Sequence, residues 1–234
     1  MLFDNLKLTH PSFHIVSAPR SGNHLVRTIF EAYSHRPTEG CLGIKSDPPI
    51  HSRKLNLEKK LITISDTRPI AFKAHRVREV FLREKNWDEA SGLIFVLRDP
   101  VSAISSQLVR SGMMNNNPLK NMTRKRRLFL QDAVENYISL INLYKLWKEN
   151  NKILVRFEDL ISVEKQDSQI DLLLDFAGLD RRAIQSPIEE LFSLGQESQL
   201  DKLKDRPRKQ SKAKEQVSSI ITYADVEKLL LGHM

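Results

Sequence analysis

Residues 13–34 read FHIVSAPRSGNHLVRTIFEAYS, and the fold class turns on this stretch. Phe13 to Ala18 is a short, largely apolar run of strand length, and Pro19-Arg20-Ser21-Gly22 is a turn. Asn23 is a good N-cap, after which Leu25, Val26, Ile29, Phe30 and Ala32 recur at helical spacing to about Ser34. A strand passing through a short turn into a helix is half of a βαβ unit. Backbone N–H groups at the mouth of that helix, beside an Arg and a Ser hydroxyl, make a place for an anion. Taken alone, the motif reads equally well as an ordinary strand-to-helix turn.

The pattern recurs downstream. Ile70 to Ala74 predicts a short strand leading into His75, and Gly92 to Leu97 (GLIFVL) has the unbroken apolar character of a buried parallel strand. Asp99 then caps a helix that has Pro100 at its first position and ends near Gly112. A long helix is expected from about Thr123 to Asn150, with Leu130, Val134, Tyr137, Ile141 and Tyr144 on one face. Ile153 to Phe157 reads as another strand, and helices follow around 167–177, stopped by Gly178, and around 181–194. Residues 195–215 look loop-like and 223–231 form a last helix. The polar stretch 35–69, with Pro37, Pro48 and Pro49, reads as an excursion holding a short helix near 56–62, and 113–123 as a Met/Asn-rich loop. Short buried strands alternating with helices give an α/β fold with a central parallel sheet flanked by helices. One domain is expected over residues 1–234, with its core at about 13–178 and a C-terminal helical and basic segment at 179–234.

Composition agrees. The chain has 234 residues, 40% hydrophobic and 28% charged, which suffices for a sizeable core and disfavours global disorder. Cys41 is the only cysteine, so a disulfide framework is excluded and a reducing compartment fits. No run approaches the roughly 18 apolar residues of a membrane span, and MLFDNLKLTHPSFHIV lacks a basic leader followed by an apolar stretch. A cytoplasmic location is expected. The net charge of +8 is unevenly placed: residues 73–85, 120–127 and 201–214 carry +3, +5 and +5, leaving −5 elsewhere. Any one such run is ordinarily a solvated loop, but three on an otherwise acidic chain suggest a polyanionic ligand.

Two further motifs sit where α/β sheets bind ligands. In Phe72-Lys73-Ala74-His75 a Lys and a His stand two apart at a strand's carboxyl end. In Arg98-Asp99-Pro100, followed by Ser105 and Ser106, an Arg and hydroxyls surround a helix N-terminus. The triphosphate loop G-x-x-x-x-G-K-[ST] is absent, which disfavours a magnesium-dependent P-loop nucleotide kinase. A nucleic-acid-binding module using the basic patches would need a helix-turn-helix, zinc-finger or RNA-recognition motif, and none appears. No carboxylate or Cys spacing completes a metal set.

In order and spacing, PRSGNHL, FKAH, FVLRDPVSAISS and VRFEDL together resemble the cytosolic-type sulfotransferase family, bacterial members included. The resemblance implies a single P-loop-like domain. It also implies an enzyme moving a sulfuryl group from 3′-phosphoadenosine 5′-phosphosulfate (PAPS) to a hydroxyl or amine, without a metal. Residue by residue, it puts Arg20, Ser21, Gly22, Asn23, His24 and Leu25 in the loop holding the 5′-phosphosulfate, and Arg98 and Ser106 at the 3′-phosphate. It makes His75 the general base, with Lys73 and Arg20 stabilising the charge of the transferred group. Phe157 stands where the family has an adenine-binding Tyr, and Leu25 where it often has Trp. Arg208-Lys209 corresponds to a basic C-terminal element, with Gln210 in place of its Gly. The presence of both Lys73 and His75 argues against a dead, merely nucleotide-binding homologue.

The acceptor is read from weaker features. Aromatic content is 7%, Asn115-Asn116-Asn117 and the basic runs are polar, and a phenol or small-alcohol site would call for an apolar, aromatic lining. A carbohydrate, glycan or lipid-linked sugar is therefore the expected partner, with no nucleic acid.

Overall fold

The computed structural model describes residues 13–41, 47–53, 60–83, 91–113, 123–183, 190–191, 193 and 206–231. Five strands form one parallel sheet: β1 (Phe13–Val16), β2 (Thr38–Glu39), β3 (Ala71–Ala74), β4 (Gly92–Leu97) and β5 (Lys152–Arg156), in the order β2-β3-β1-β4-β5. The register sets Val16 opposite both Ala74 and Phe95, so β1 and β3 reach their carboxyl ends together and β4 runs on two residues further, to Leu97.

Alternation along the strands divides the core in two. Phe13, Ile15, Ala71, Ile94 and Val96 pack on one face against α1 (Asn23–Ser34) and α6 (Gln166–Ala177). Val16, Ala74, Leu93, Phe95 and Leu97 pack on the other against α3 (Pro100–Arg110), α4 (Arg124–Leu146), α7 (Arg206–Ser218) and α8 (Tyr223–Leu231). Two short helices, α2 (Val77–Phe81) and α5 (Phe157–Leu160), follow β3 and β5. The helices after β1 and β4 lie on opposite faces of the sheet. A crevice therefore opens between the carboxyl ends of these neighbouring strands, the place where doubly wound sheets bind ligands.

Several boundaries differ from expectation. The cap of α1 is Gly22 (φ 88°), not Asn23, which is the first helical residue. The side chain of Asn23 is buried instead, with Nδ2 donating to the Ile15 carbonyl and to Ser17 Oγ, at 3.0 and 3.1 Å. The long helix stops at Leu146 because the backbone of Trp147 turns extended (ψ 152°). Phe157 opens α5 rather than closing β5. In the segment expected as loop, 206–218 is helical and lies along α3, burying Ala213 and Val217 against the second core. Of the expected 181–194 helix, Arg181–Ala183 forms a short 3₁₀ turn and residues 190, 191 and 193 are helical, while 184–189, 192 and 194 lie outside the described residues. So do 54–59, most of the expected 56–62 helix, and 114–122 of the Met/Asn-rich loop.

Candidate active site

The loop after β1 is held in an uncommon backbone conformation from both sides. Arg20 has φ 71°, in the left-handed region that non-glycine residues rarely occupy, and its carbonyl accepts from Arg98 Nη1 at 2.6 Å. Gly22 must be glycine twice over. Its φ is positive, and a Cβ there would lie 2.1 Å from Cδ2 of Phe157. The Phe157 ring carries the Arg98 guanidinium on its face, 4.6 Å from the centroid. Arg20 Nε donates to Ser106 Oγ at 3.3 Å. Arg20, Gly22, Arg98, Ser106 and Phe157, from four separate segments, thus form one contiguous assembly.

Neighbouring turns brace it. Asp99 caps α3 by accepting from the backbone N–H groups of Val101 and Ser102, and its own N–H donates to Glu158 Oε1 at 3.0 Å. Tyr137, from the buried face of α4, donates its hydroxyl to the Arg98 carbonyl. Within the loop, Ser21 Oγ is buried with no hydrogen-bonding partner. A buried hydroxyl is ordinarily satisfied, and this one, in the cradle that the loop forms, is not.

The second half of the site follows β3. Lys73 lies in the strand opposite Ile15, and its buried Nζ donates to Asp47 Oδ2 at 2.8 Å. His75, two residues on, donates from Nδ1 to the Ser17 carbonyl at 2.7 Å, while its own carbonyl accepts from Asn136 Nδ2 at 2.9 Å. The backbone N–H of His75 donates to Glu79 Oε2 at 2.6 Å. Burial, and then the charge of Lys73, push the His75 imidazole down to about pKa 3 against the pull of the Ser17 bond. His24 is pushed down to about 2 by burial and then by Arg53, Lys73 and Arg27. Both rings are therefore neutral near pH 7, as a proton acceptor beside a cationic site must be.

A family model described as the sulfotransferase domain matches residues 10–228. The chain belongs to the sulfotransferase family. A solved structure similar to this sulfotransferase is the sulfotransferase domain from the Synechococcus PCC 7002 olefin synthase. It is 14% identical, with 88% of this chain and 94% of that one covered and a TM-score of 0.47. No match is found among the curated proteins. The enzyme transfers a sulfuryl group. No helix among the described residues is long and apolar enough to cross a membrane. Those residues also contain no cluster of three or more His, Cys, Asp or Glu side chains able to hold a metal ion.

Of the residues singled out in the sequence, the sulfotransferase fold brings Arg20, Ser21, Gly22, Arg98, Ser106 and Phe157 into one cradle. It sets Lys73 and His75 on the adjoining strand end. Asn23 instead ties the cradle to β1, and Leu25 is buried among Val26 and Ile29 in the first core. Arg208 and Lys209 lie in the first turn of α7.

Sequence reasoning missed the residues packed behind Lys73. Arg27 is fully buried, with Nε on Thr38 Oγ1 at 2.8 Å and Nη1 on Asp47 Oδ1 at 2.9 Å. Glu31, equally buried, accepts from the backbone N–H groups of Thr38, Ile50 and His51. A charged pair four apart on the apolar face of an otherwise hydrophobic helix was the signal available. Its partners lie in a polar excursion that carries no motif.

Proposed function

We propose that the enzyme is a PAPS-dependent sulfotransferase whose acceptor is a hydroxyl (or amine) of a carbohydrate or glycan, lipid-linked sugars included. The observation that carries the reading is the pairing of two features at adjoining strand ends. One is the cradle with its orphaned Ser21 hydroxyl and two arginines. The other is His75, whose Nδ1 is occupied and whose Nε2 keeps a lone pair. The residues present fit a nucleotide carrying phosphates and a sulfate, which supplies the sulfuryl group as electrophile.

Arg20, Ser21 and the backbone of Gly22 to His24 bind the 5′-phosphosulfate, while Leu25, in the first turn of α1, packs in the first core. Arg98, Ser106 and the Arg208-Lys209 pair serve the 3′-phosphate, and Phe157 offers its ring to the base. Lys73 and Arg20 stabilise negative charge on the transferred group. His75 Nε2 takes the acceptor proton, a step typically worth about 10²–10⁴ in rate. Sulfuryl transfer resembles phosphoryl transfer in its loose, charge-spread transition state, so fixed positive groups do most of this work.

Among the described residues, the side chains beside Lys73 are the polar Asp47, Arg53 and His24, which supports a polar acceptor. Residues 1–234 are read as one domain, placed in the cytoplasm, with oligomeric state open. The test is transfer of label from ³⁵S-PAPS to a panel of glycans, lipid-linked sugars and phenols, with and without EDTA. Label in a glycan, insensitive to EDTA, is the expected result. Label only in phenols overturns the acceptor class, and absolute dependence on added magnesium overturns the metal-free reaction.

A further inference from the structure

Asp47 belongs to none of the motifs above, yet its carboxylate accepts four hydrogen bonds beside the site. Oδ2 accepts from Lys73 Nζ at 2.8 Å and from the backbone N–H of Cys41 at 3.3 Å. Oδ1 accepts from Arg27 Nη1 at 2.9 Å and from Arg53 Nη2 at 3.3 Å. The side chains of Lys73 and Asp47 are only 8% and 10% exposed. Gly40 makes the close packing feasible, because a Cβ there would stand 2.1 Å from the Asp47 carbonyl oxygen.

A carboxylate beside a site for a multiply charged anion repels the ligand, so its presence asks for a reason. General-base chemistry is a poor one. Four donors already occupy the two oxygens. Burial raises the affinity of Asp47 for a proton, but the hydrogen bond and charge of Lys73 and the charge of Arg27 outweigh it and hold the group below the usual carboxylate range. What an anchored carboxylate does well is fix a flexible ammonium. A lysine side chain carries about 2 kcal/mol of rotamer entropy and acts as a mobile point charge unless held. With one N–H committed to Asp47, two remain for the transferred group. Arg27 and Arg53, which grip the other oxygen, keep the anchor itself in place.

We propose that Asp47 is a positioning residue for sulfuryl transfer, its carboxylate holding Lys73 Nζ in register with His75. The proposal rests on reading Lys73 as the group that meets the transferred sulfuryl. It is tested by a double-mutant cycle of Asp47→Asn and Lys73→Met, following kcat, KM for PAPS and the affinity for adenosine 3′,5′-bisphosphate (PAP). Asp47→Asn is expected to lower kcat about 10²-fold without weakening PAP binding, as misplacement of a catalytic group does. In the Lys73→Met background the same change should cost no more than about two-fold, because the group it acts through is gone. Equal losses in both backgrounds overturn the proposal, since Asp47 then acts through the fold. Wild-type kcat in Lys73→Met alone is a different result, which removes the role of Lys73 itself. Should Asp47→Asn fail to fold, with Arg27 left unpaired, Asp47→Glu retains the charge and displaces the carboxylate by roughly 1.5 Å, one carbon–carbon bond. That variant is expected to lose more than about ten-fold in kcat only when Lys73 is present. Wild-type kcat in a folded Asp47→Glu enzyme overturns the need for a fixed Nζ.

Discussion

His75 Nδ1, just beyond β3, donates to the carbonyl oxygen of Ser17, just beyond β1, at 2.7 Å. The bond spans neighbouring parallel strands at their carboxyl edge, and it settles the tautomer. A carbonyl can only accept, so Nδ1 carries the hydrogen and Nε2 keeps the lone pair. Asn136 on the His75 carbonyl and Glu79 on its N–H lock the turn that carries the ring.

From this follows the effect of His75→Ala. A base that only receives the acceptor proton contributes little to holding nucleotide, so kcat should fall about 10²-fold or more while PAP affinity stays within a few-fold. A purely structural imidazole would show the reverse: a lower melting temperature and parallel losses in binding. Turnover, PAP affinity and melting temperature on one preparation separate the two, and near-wild-type turnover in a folded variant sinks the assignment.

Much of this site was legible in the sequence because its parts are local. Strand-to-helix turns announce themselves through an apolar run, a breaker and a cap, as at Val16 to Asn23 and at Leu97 to Pro100. The failures were of two kinds. Gly22 rather than Asn23 caps α1 because Phe157, 135 positions away, occupies the space of any side chain there. Arg206–Ser218 looked loop-like because its basic residues swamp the two apolar ones, Ala213 and Val217, that seat it on the second core. Asp47 and Glu31 were invisible for the same physical reason. Their roles come from partners brought together by folding, with no spacing pattern to betray them.

Gly22→Ala should damage donor binding more than stability. The left-handed backbone costs a non-glycine residue about 1–2 kcal/mol, and the Phe157 ring must move as well. Displacing that ring disturbs the Arg98 guanidinium stacked on it, so PAP affinity should drop more than about ten-fold, measured by calorimetry. In a Phe157→Ala background the steric part vanishes, and the added effect of Gly22→Ala should shrink to the backbone cost. An undiminished effect there would show that contact with Phe157 is not what excludes a side chain.

Wild-type enzyme should prefer PAP to adenosine 5′-monophosphate by about 10- to 150-fold, the value of a charge-assisted hydrogen bond of about 1.5–3 kcal/mol. Arg98→Ala should erase most of that preference. The ratio is the informative quantity, because Arg98 also holds the Arg20 carbonyl and its loss will weaken both nucleotides together. Equal affinities in the wild type would remove the 3′-phosphate assignment from Arg98 and Ser106.

The two depressed histidines make stability depend on pH with a definite sign. In the unfolded chain His24 and His75 take up protons near pH 6.5, whereas in the fold burial first, and then the surrounding cations, hold them off to about 2 and 3. Above pH 6.5 both states carry neutral rings and stability is complete. As pH falls below that value the unfolded chain binds more protons, so stability declines, by at most about 1.4 kcal/mol per pH unit for each ring. Both rings keep a minor part of their surface in water, and solvent screening brings the real slope below that ceiling. Urea unfolding from about pH 7.5 to 5 should show this loss, and a His24→Gln/His75→Gln variant should show a shallower one. Saturating PAP should flatten the wild-type slope too, because its 5′-phosphate in the loop beside His24 offsets part of the positive charge that helps keep these rings neutral. If the double variant keeps the wild-type slope, the pH dependence belongs to other groups, and the cationic surroundings of His24 and His75 leave no mark on the fold.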